Sequence, residues 1–292
     1  MAEQIEIPRA IPRRIALYGK AGIGKSVTSS HISAALSQMG EKVMQVGCDP
    51  KRDSIALLCH GIMPTVLEKL QLVESESEGR TEVTEEVLSE VIFEGFNGIY
   101  CCESGGPRPG IGCAGRGVMV GVQLLEELKV LEKRNITFAI YDVLGDVVCG
   151  GFAEPMRTGQ CKEIYVVTSG EPLTLYITNN ILKAVKRIAG EGVDVGVAGL
   201  IDNQRLVTHE TEIVEAFASQ VGVPILEHIP RSLKVQEAEI QCQTVIEAFP
   251  ESDQAEVYRR LARKVLDNKY IHVPDPLPGM DEIVELVGRY VH

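Results

Sequence analysis

Gly19-Lys20-Ala21-Gly22-Ile23-Gly24-Lys25-Ser26 satisfies G-x-x-x-x-G-K-[ST] at every fixed position. The run before it, Arg14-Ile15-Ala16-Leu17-Tyr18, reads as a buried strand. The segment after it, Val27 to Met39, sets Ile32, Ala35, Leu36 and Met39 at helical spacing. Strand, glycine loop and helix in that order make the motif a P-loop. Gly22 and Gly24 let successive backbone N–H groups face a phosphate, and the helix N-terminus adds partial positive charge. Lys25 is predicted to reach the β- and γ-phosphates, and the Ser26 hydroxyl to ligate Mg²⁺. Lys20 reads either as a solvated loop charge or as a second phosphate-directed lysine.

Outward from the loop, strand-like runs recur at Val43–Gly47, Gly98–Cys102, Phe138–Tyr141, Ile164–Thr168, Val195–Leu200 and Ile225–Ile229. Several are continuously apolar, as parallel strands covered on both faces are. Helical patterns alternate with them at Gly117–Leu131, Leu173–Ile188, His209–Gln220 and Gln254–Leu266. The alternation predicts an α/β fold, a doubly wound, mostly parallel sheet flanked by helices in a single domain. Residues 1–13 read as an N-terminal extension and 14–271 as the domain. Residues 272–292 read as a proline-stiffened extension ending in a short helix, Asp281–Tyr290. Glu74–Glu86 is acid-rich and reads as a solvated loop or helix face.

The chain has 292 residues, 45% of them hydrophobic, and a formal net charge of −12. An acidic chain with no basic face argues against nucleic acid as a partner. No apolar run approaches the roughly 18 residues that cross a bilayer. Arg13-Arg14 is followed by only Ile15–Tyr18 before Gly19, too short for a twin-arginine signal, so a cytoplasmic location is expected. The eight cysteines include no C-x-x-C pair. In a reducing compartment, Cys48, Cys59, Cys101, Cys102, Cys161 and Cys242 read as small buried hydrophobes.

In a sheet of this kind the ligand lies at the carboxyl ends of the strands. Asp49 and Asp53 follow the Val43–Gly47 strand. Asp142 ends the Phe138–Tyr141 strand as a Walker-B aspartate does, where it can hold Mg²⁺ or its water. Two cysteines stand apart from the other six. Cys113 lies in Gly110-Ile-Gly-Cys-Ala-Gly-Arg-Gly117, and Cys149 is followed by Gly150-Gly151. Nearby glycines leave backbone N–H groups free for the sulfides of an iron–sulfur cluster. A cubane takes four thiolates, which two chains supply if each gives two across a two-fold axis. Cys149 also lies just past Asp142–Asp146, so nucleotide-dependent movement there would reach a cluster ligand.

Tyr18–Ser26, Val46-Gly-Cys-Asp-Pro-Lys51, Glu103-Ser-Gly-Gly-Pro107, Gly112-Cys-Ala-Gly-Arg-Gly117 and Tyr141-Asp-Val-Leu-Gly-Asp-Val-Val-Cys-Gly-Gly-Phe152 resemble the nitrogenase iron protein family. The resemblance runs from about Ile15 to Pro276. It implies a homodimer with one bridging [4Fe–4S] cluster held by Cys113 and Cys149 of both chains. It also implies MgATP at each P-loop, hydrolysis coupled to one-electron transfer into a separate catalytic heterotetramer, and an upstream ferredoxin or flavodoxin. Lys20 then takes the cross-dimer role of deviant P-loop ATPases. Asp49 resembles the group that activates water, Lys51 a phosphate-responsive switch residue, and Asp146 a member of the second switch with Asp142. Asn203 resembles an adenine-contacting asparagine, Arg231 belongs to the nucleotide-side loop, and Arg116 resembles the partner-facing arginine near the cluster.

The sequence departs from the family pattern at Ala21 (usually glycine), Val27 (usually threonine) and Ser232 (usually aspartate), and in its leader. It thereby resembles the reductase component of a nitrogenase-like enzyme, of the kind that serves methylthio-alkane or tetrapyrrole reduction. The alternatives are the reductase of nitrogenase proper, a partitioning-type ATPase of the same fold, and a cluster-carrier ATPase. The last usually uses the C-x-x-C pair missing here.

Overall fold

A computed structural model describes residues 3–8, 10–70, 89–106, 114–145, 153–158 and 160–291. Its described strands form one ten-stranded sheet. They are β1 (Glu3–Glu6), β2 (Arg13–Gly19), β3 (Val43–Cys48), β4 (Ile92–Glu94), β5 (Tyr100–Glu103), β6 (Phe138–Val143), β7 (Glu163–Thr168), β8 (Gly196–Asn203), β9 (Ile225–Ile229) and β10 (Tyr270–Val273). The order is β1-β10-β8-β7-β2-β6-β3-β5-β4, with β9 also beside β8. From β5 across to β9 every pairing is parallel, while β1, β4 and β10 join antiparallel. The chain leaves central β2 toward β3 and later returns through β6 to β7 on the other side. That reversal opens a crevice at the β2 carboxyl end.

Residues of β2 alternate between two cores. Ala16 and Tyr18 join the cluster under α3 (Pro172–Gly190), α4 (Glu210–Val221) and α7 (Met280–Gly288). Ile15 and Leu17 join the cluster under α1 (Lys25–Gln38) and α6 (Asp253–Asp267). Both sheet faces are therefore covered, which is why the central strands are mostly apolar. The remaining long helices are α2 (Ala114–Glu127) and α5 (Leu233–Ile240). The helix expected over 117–131 stops at Glu127, because Lys129 turns left-handed at φ 52° before a short second helix.

Both chain ends are built into the domain's packing. Glu3–Glu6 pairs with β10, and Ile5 and Ile7 pack on the α1/α6 core. In the C-terminal tail, Asn179 of α3 holds Leu277 through two hydrogen bonds of 2.9 and 2.8 Å. Cys48, Cys101, Cys102 and Cys161 are buried as expected, and Cys59 is half-buried. Cys242 is exposed, on a left-handed turn residue (φ 52°) just past α5 that cannot face the core. Among the described residues no helix is long and apolar enough to cross a membrane.

Candidate active site

The loop after β2 closes tightly. A Cβ on Gly19 would meet the Val167 carbonyl oxygen at 2.6 Å, and Gly22 and Gly24 sit at φ 76° and 94°, where side chains are strained. Helix α1 starts at Lys25, so the first-turn N–H groups face the loop's concavity. Two groups from the β8 end brace the loop from outside. Asn203 Nδ2 donates to the Ile23 carbonyl at 2.6 Å, and Arg205 Nη2 donates to the Gly22 carbonyl at 2.5 Å. Gly24 admits this approach, since a Cβ there would lie 2.4 Å from Asn203 Nδ2.

Lys25 is buried and forms an ion pair with Asp142, its Nζ also lying 3.4 Å from Ser26 Oγ. Burial opposes its charge. The Asp142 carboxylate, with Asp49 and Asp53 further off, holds its pKa above the ordinary value all the same. Register explains the meeting: Asp142 lies opposite Leu17 of β2 and Gly47 of β3, so three strand ends converge. Asp142 Oδ2 is buried with no hydrogen-bond partner among the described residues. A buried carboxylate oxygen with a spare lone pair beside the Ser26 hydroxyl suits a hard divalent cation.

Asp49 is buried. Its Oδ1 accepts from the Lys51 N–H at 3.0 Å, and Lys51 Nζ lies 3.5 Å from Oδ2. The Asp53 carboxyl is raised by desolvation and then by the charges of Asp49 and Asp142. These residues line a cavity of about 520 Å³ together with Lys20, Gly22, Gly24, Ser26, Asn203 and Arg231. Its far wall is Pro230, Val235, Gln236, Glu239 and Tyr258. The three departures fall here too. Ala21 and Val27 line the cavity, and Ser232 lines it while capping α5, its Oγ accepting from the Lys234 N–H at 3.2 Å.

Sequence reasoning missed three residues, Arg205 in the cavity lining and Gly145 and Glu103 outside it. Arg205 belongs to no motif. Gly145, just past β6, passes so close to the loop that a Cβ would stand 2.1 Å from the Gly19 carbonyl oxygen. Glu103 is a buried acid whose signal was visible, a carboxylate ending an apolar strand in Glu-Ser-Gly-Gly. Cys113, Asp146 and Cys149 lie outside the described residues. Arg116 belongs to the first turn of α2.

Over residues 13–291 the chain matches the family described as 4Fe-4S iron sulfur cluster binding proteins, NifH/frxC family. It is 48% identical over 281 residues to the nitrogenase iron protein of Methanospirillum hungatei JF-1, covering 96% of each chain. It is 47% identical over 269 residues to nitrogenase iron protein 2 of Paenibacillus durus, covering 91% of this chain and 87% of that one. The solved cell division ATPase MinD of Pyrococcus furiosus aligns with a TM-score of 0.61 at 19% identity, over 88% of this chain and 99% of that one. A ParA family ATPase from Chlorobium tepidum TLS aligns at 0.63 and 16%, over 86% and 98%. At those identities the likeness concerns the fold, an α/β P-loop NTPase fold with a mostly parallel sheet.

Proposed function

This chain belongs to the NifH/frxC family of 4Fe–4S iron–sulfur cluster-binding proteins, and we propose that it is the ATP-dependent one-electron donor to a separate, nitrogenase-like catalytic reductase. Proteins of this family carry a [4Fe–4S] cluster, bind MgATP and transfer electrons as homodimers working with a catalytic partner. The family match joined to the Lys25–Asp142 ion pair beside Ser26 carries the reading.

The described residues fit MgATP. The loop N–H groups and Lys25 would hold the β- and γ-phosphates, and Lys20 would reach across the dimer to the partner's nucleotide. The Ser26 hydroxyl and the spare oxygen of Asp142 would hold Mg²⁺. Asp49, its carboxylate fixed by the Lys51 N–H, would orient the attacking water and accept its proton as the water oxygen bonds to the γ-phosphorus and the β,γ-bridging oxygen departs with ADP. Lys51 and Asp53 follow the phosphate. Asn203 and Arg231 flank the nucleoside side.

The glycine-rich settings of Cys113 and Cys149 and the family match support these two as the cluster's donors. Cys113 and Cys149 from each of two chains would supply the four ligands, and the bound cluster would supply the one-electron carrier. By the family resemblance Asp142 and Asp146 would belong to the second switch, close in sequence to Cys149, and Arg116 would be the partner-facing arginine. A ferredoxin or flavodoxin reloads the electron, in the cytoplasm.

The departures at Ala21, Val27 and Ser232 support a branch with its own docking partner. The names of the two relatives support a second reading, the reductase of nitrogenase proper. Reconstitution separates them. The expected result is electron delivery to a nitrogenase-like catalytic component and little dinitrogen or acetylene reduction with a molybdenum–iron protein. Rates matching that protein's own reductase establish the second reading instead. Anaerobically purified protein should be brown, with about two irons per chain. Colourless protein with full ATPase activity overturns the electron-donor reading.

A further inference from the structure

Neighbouring strands β3 and β5 place Gly47 opposite Glu103, and the Ser104 N–H donates to the Gly47 carbonyl at 2.8 Å. The Glu103 carboxyl fills the space a side chain at 47 would take, since a Cβ there would lie 1.9 Å from Oε2. Oε1 accepts the Ile55 N–H at 3.0 Å, while Oε2 is buried with no hydrogen-bond partner among the described residues. One buried side chain thus grips the loop after β3 at its start and at its end, with Asp49, Lys51 and Asp53 between.

The far end of that loop is anchored again. Ser54 offers its carbonyl to Ser30 Oγ at 2.9 Å and to Gln45 Nε2 at 2.7 Å, and its hydroxyl accepts from the same amide at 3.0 Å. Ser30 is in α1, the helix that begins at Lys25. On the other side of Glu103 the contacts are steric. A Cβ on Gly106 would meet Pro50 Cβ at 2.6 Å, and one on Gly105 would meet Thr65 Oγ1 at 2.4 Å. A Cβ on Gly121 in α2 would meet Ser104 Oγ at 2.6 Å. Pro50 cannot shift far without Gly106, nor Ser104 without α2, because packed backbones at these separations transmit displacement.

We infer that Glu103 is a positioning residue, a clasp that makes the Asp49–Ser54 loop and the Ser104–Gly106 turn move as one body and passes the position of Asp49 and Lys51 to α2. The inference rests on the MgATP-dependent electron-donor reading above. A phosphate drawing on Lys51 or Asp49 displaces the loop between two gripped ends. The remaining freedom is rotation about those ends, which carries Pro50 against Gly106 and Ser104 against Gly121. The carboxyl is suited to this as a fixed joint. Burial pushes it up to about 8, with the Ile55 N–H opposing and Asp142 adding, so it carries little charge to attract solvent into the joint.

The test uses anaerobic, cluster-loaded protein and two variants of similar side-chain volume. Glu103→Gln keeps an oxygen for the Ile55 N–H, and Glu103→Met does not. Three readouts are taken with and without MgATP: nucleotide affinity, hydrogen exchange in peptides covering residues 119–127 of α2, and the rate at which an iron chelator strips the cluster. Wild type and Glu103→Gln should both answer MgATP at α2 and in chelation. Glu103→Met should bind MgATP with little changed affinity, yet its responses at α2 and in chelation should drop about fivefold or more. A Glu103→Met protein that responds as wild type does overturns the clasp and leaves the electron-donor reading standing. If Glu103→Met does not accumulate, Glu103→Asp makes the same test, because its shortened carboxylate draws away from Ile55. Wild-type protein that holds iron but ignores MgATP overturns the electron-donor reading and the clasp with it.

Discussion

His31 shows how much one side chain beside the loop is asked to do. It is fully buried in α1, with Nδ1 2.6 Å from the Val27 carbonyl and Nε2 accepting the Val245 N–H at 2.8 Å. Its ring stacks on Tyr258 at 3.9 Å. That pattern uses the neutral tautomer with the proton on Nδ1, and burial lowers the pKa to about 4 against the hydrogen bond to Val27. The unfolded chain then binds the proton more tightly. Stability from this site is complete above the ordinary value of 6.5 and is lost as pH falls toward 4. The loss should reach about 3 kcal/mol. Chemical denaturation at pH 7 and pH 4.5 should show a difference between wild type and His31→Gln of that order and sign. Equal pH slopes in the two proteins would refute the assignment. At this scale the sequence yielded the P-loop, because its fixed spacing encodes a backbone shape. It did not yield the His31–Tyr258 stack or Arg205 on Gly22, which are meetings across 227 and 183 residues and follow no local pattern.

The elements were legible where burial was two-sided. The seven strands from β2 through β9, β4 excepted, were all recognised, most of them as apolar runs, because a parallel strand between helices has little room for a polar face. The three antiparallel strands were not. Glu-Gln-Ile-Glu is too polar to announce β1, Ile92–Glu94 is three residues long, and Tyr270–Val273 is followed by prolines that suggest an extension. Helix α5 was missed because Leu-Lys-Val-Gln-Glu-Ala-Glu-Ile buries only Ala238 and carries no clear stripe. Where elements meet, Gly145 invites a test. Alanine there would press on Gly19 backbone at 2.1 and 2.5 Å, which no rotamer relieves. Gly145→Ala should cost about 1–3 kcal/mol and weaken MgATP binding by disturbing the entry to the loop. Gly190→Ala, at the end of α3 with nothing within 4 Å, should leave both unchanged or raise stability slightly. Thermal melts with and without MgATP compare the two.

Across the whole molecule, the start of the central strand is tied to the end of the last long helix. Arg13 pairs with Glu163 through Nε at 2.7 Å and Nη2 at 2.5 Å. It also donates to the carbonyls of Leu266 at 2.6 Å and Asn268 at 3.1 Å, at the end of α6. Glu163 is itself buried. Arg13→Met should therefore cost about 3–5 kcal/mol, because it strands a buried carboxylate. Arg13→Met combined with Glu163→Leu should recover much of that, as a denaturation midpoint would show. Losses that simply add in the double variant would deny the coupling.

The close glycine contacts also bear on how parts of this protein can be exchanged. Gly47 with Glu103, Gly106 with Pro50 and Gly121 with Ser104 are lock-and-key pairs between segments far apart in the chain. A loop spanning residues 47–54 grafted from a relative brings half of each lock. Unless residues 103–106 and the facing turn of α2 travel with it, the graft carries mismatched halves. Recombination between relatives should tolerate breakpoints in the α3–α4 half of the molecule, while crossovers falling between residues 54 and 103 should yield chimeras that are unstable or that bind MgATP without passing its arrival to α2.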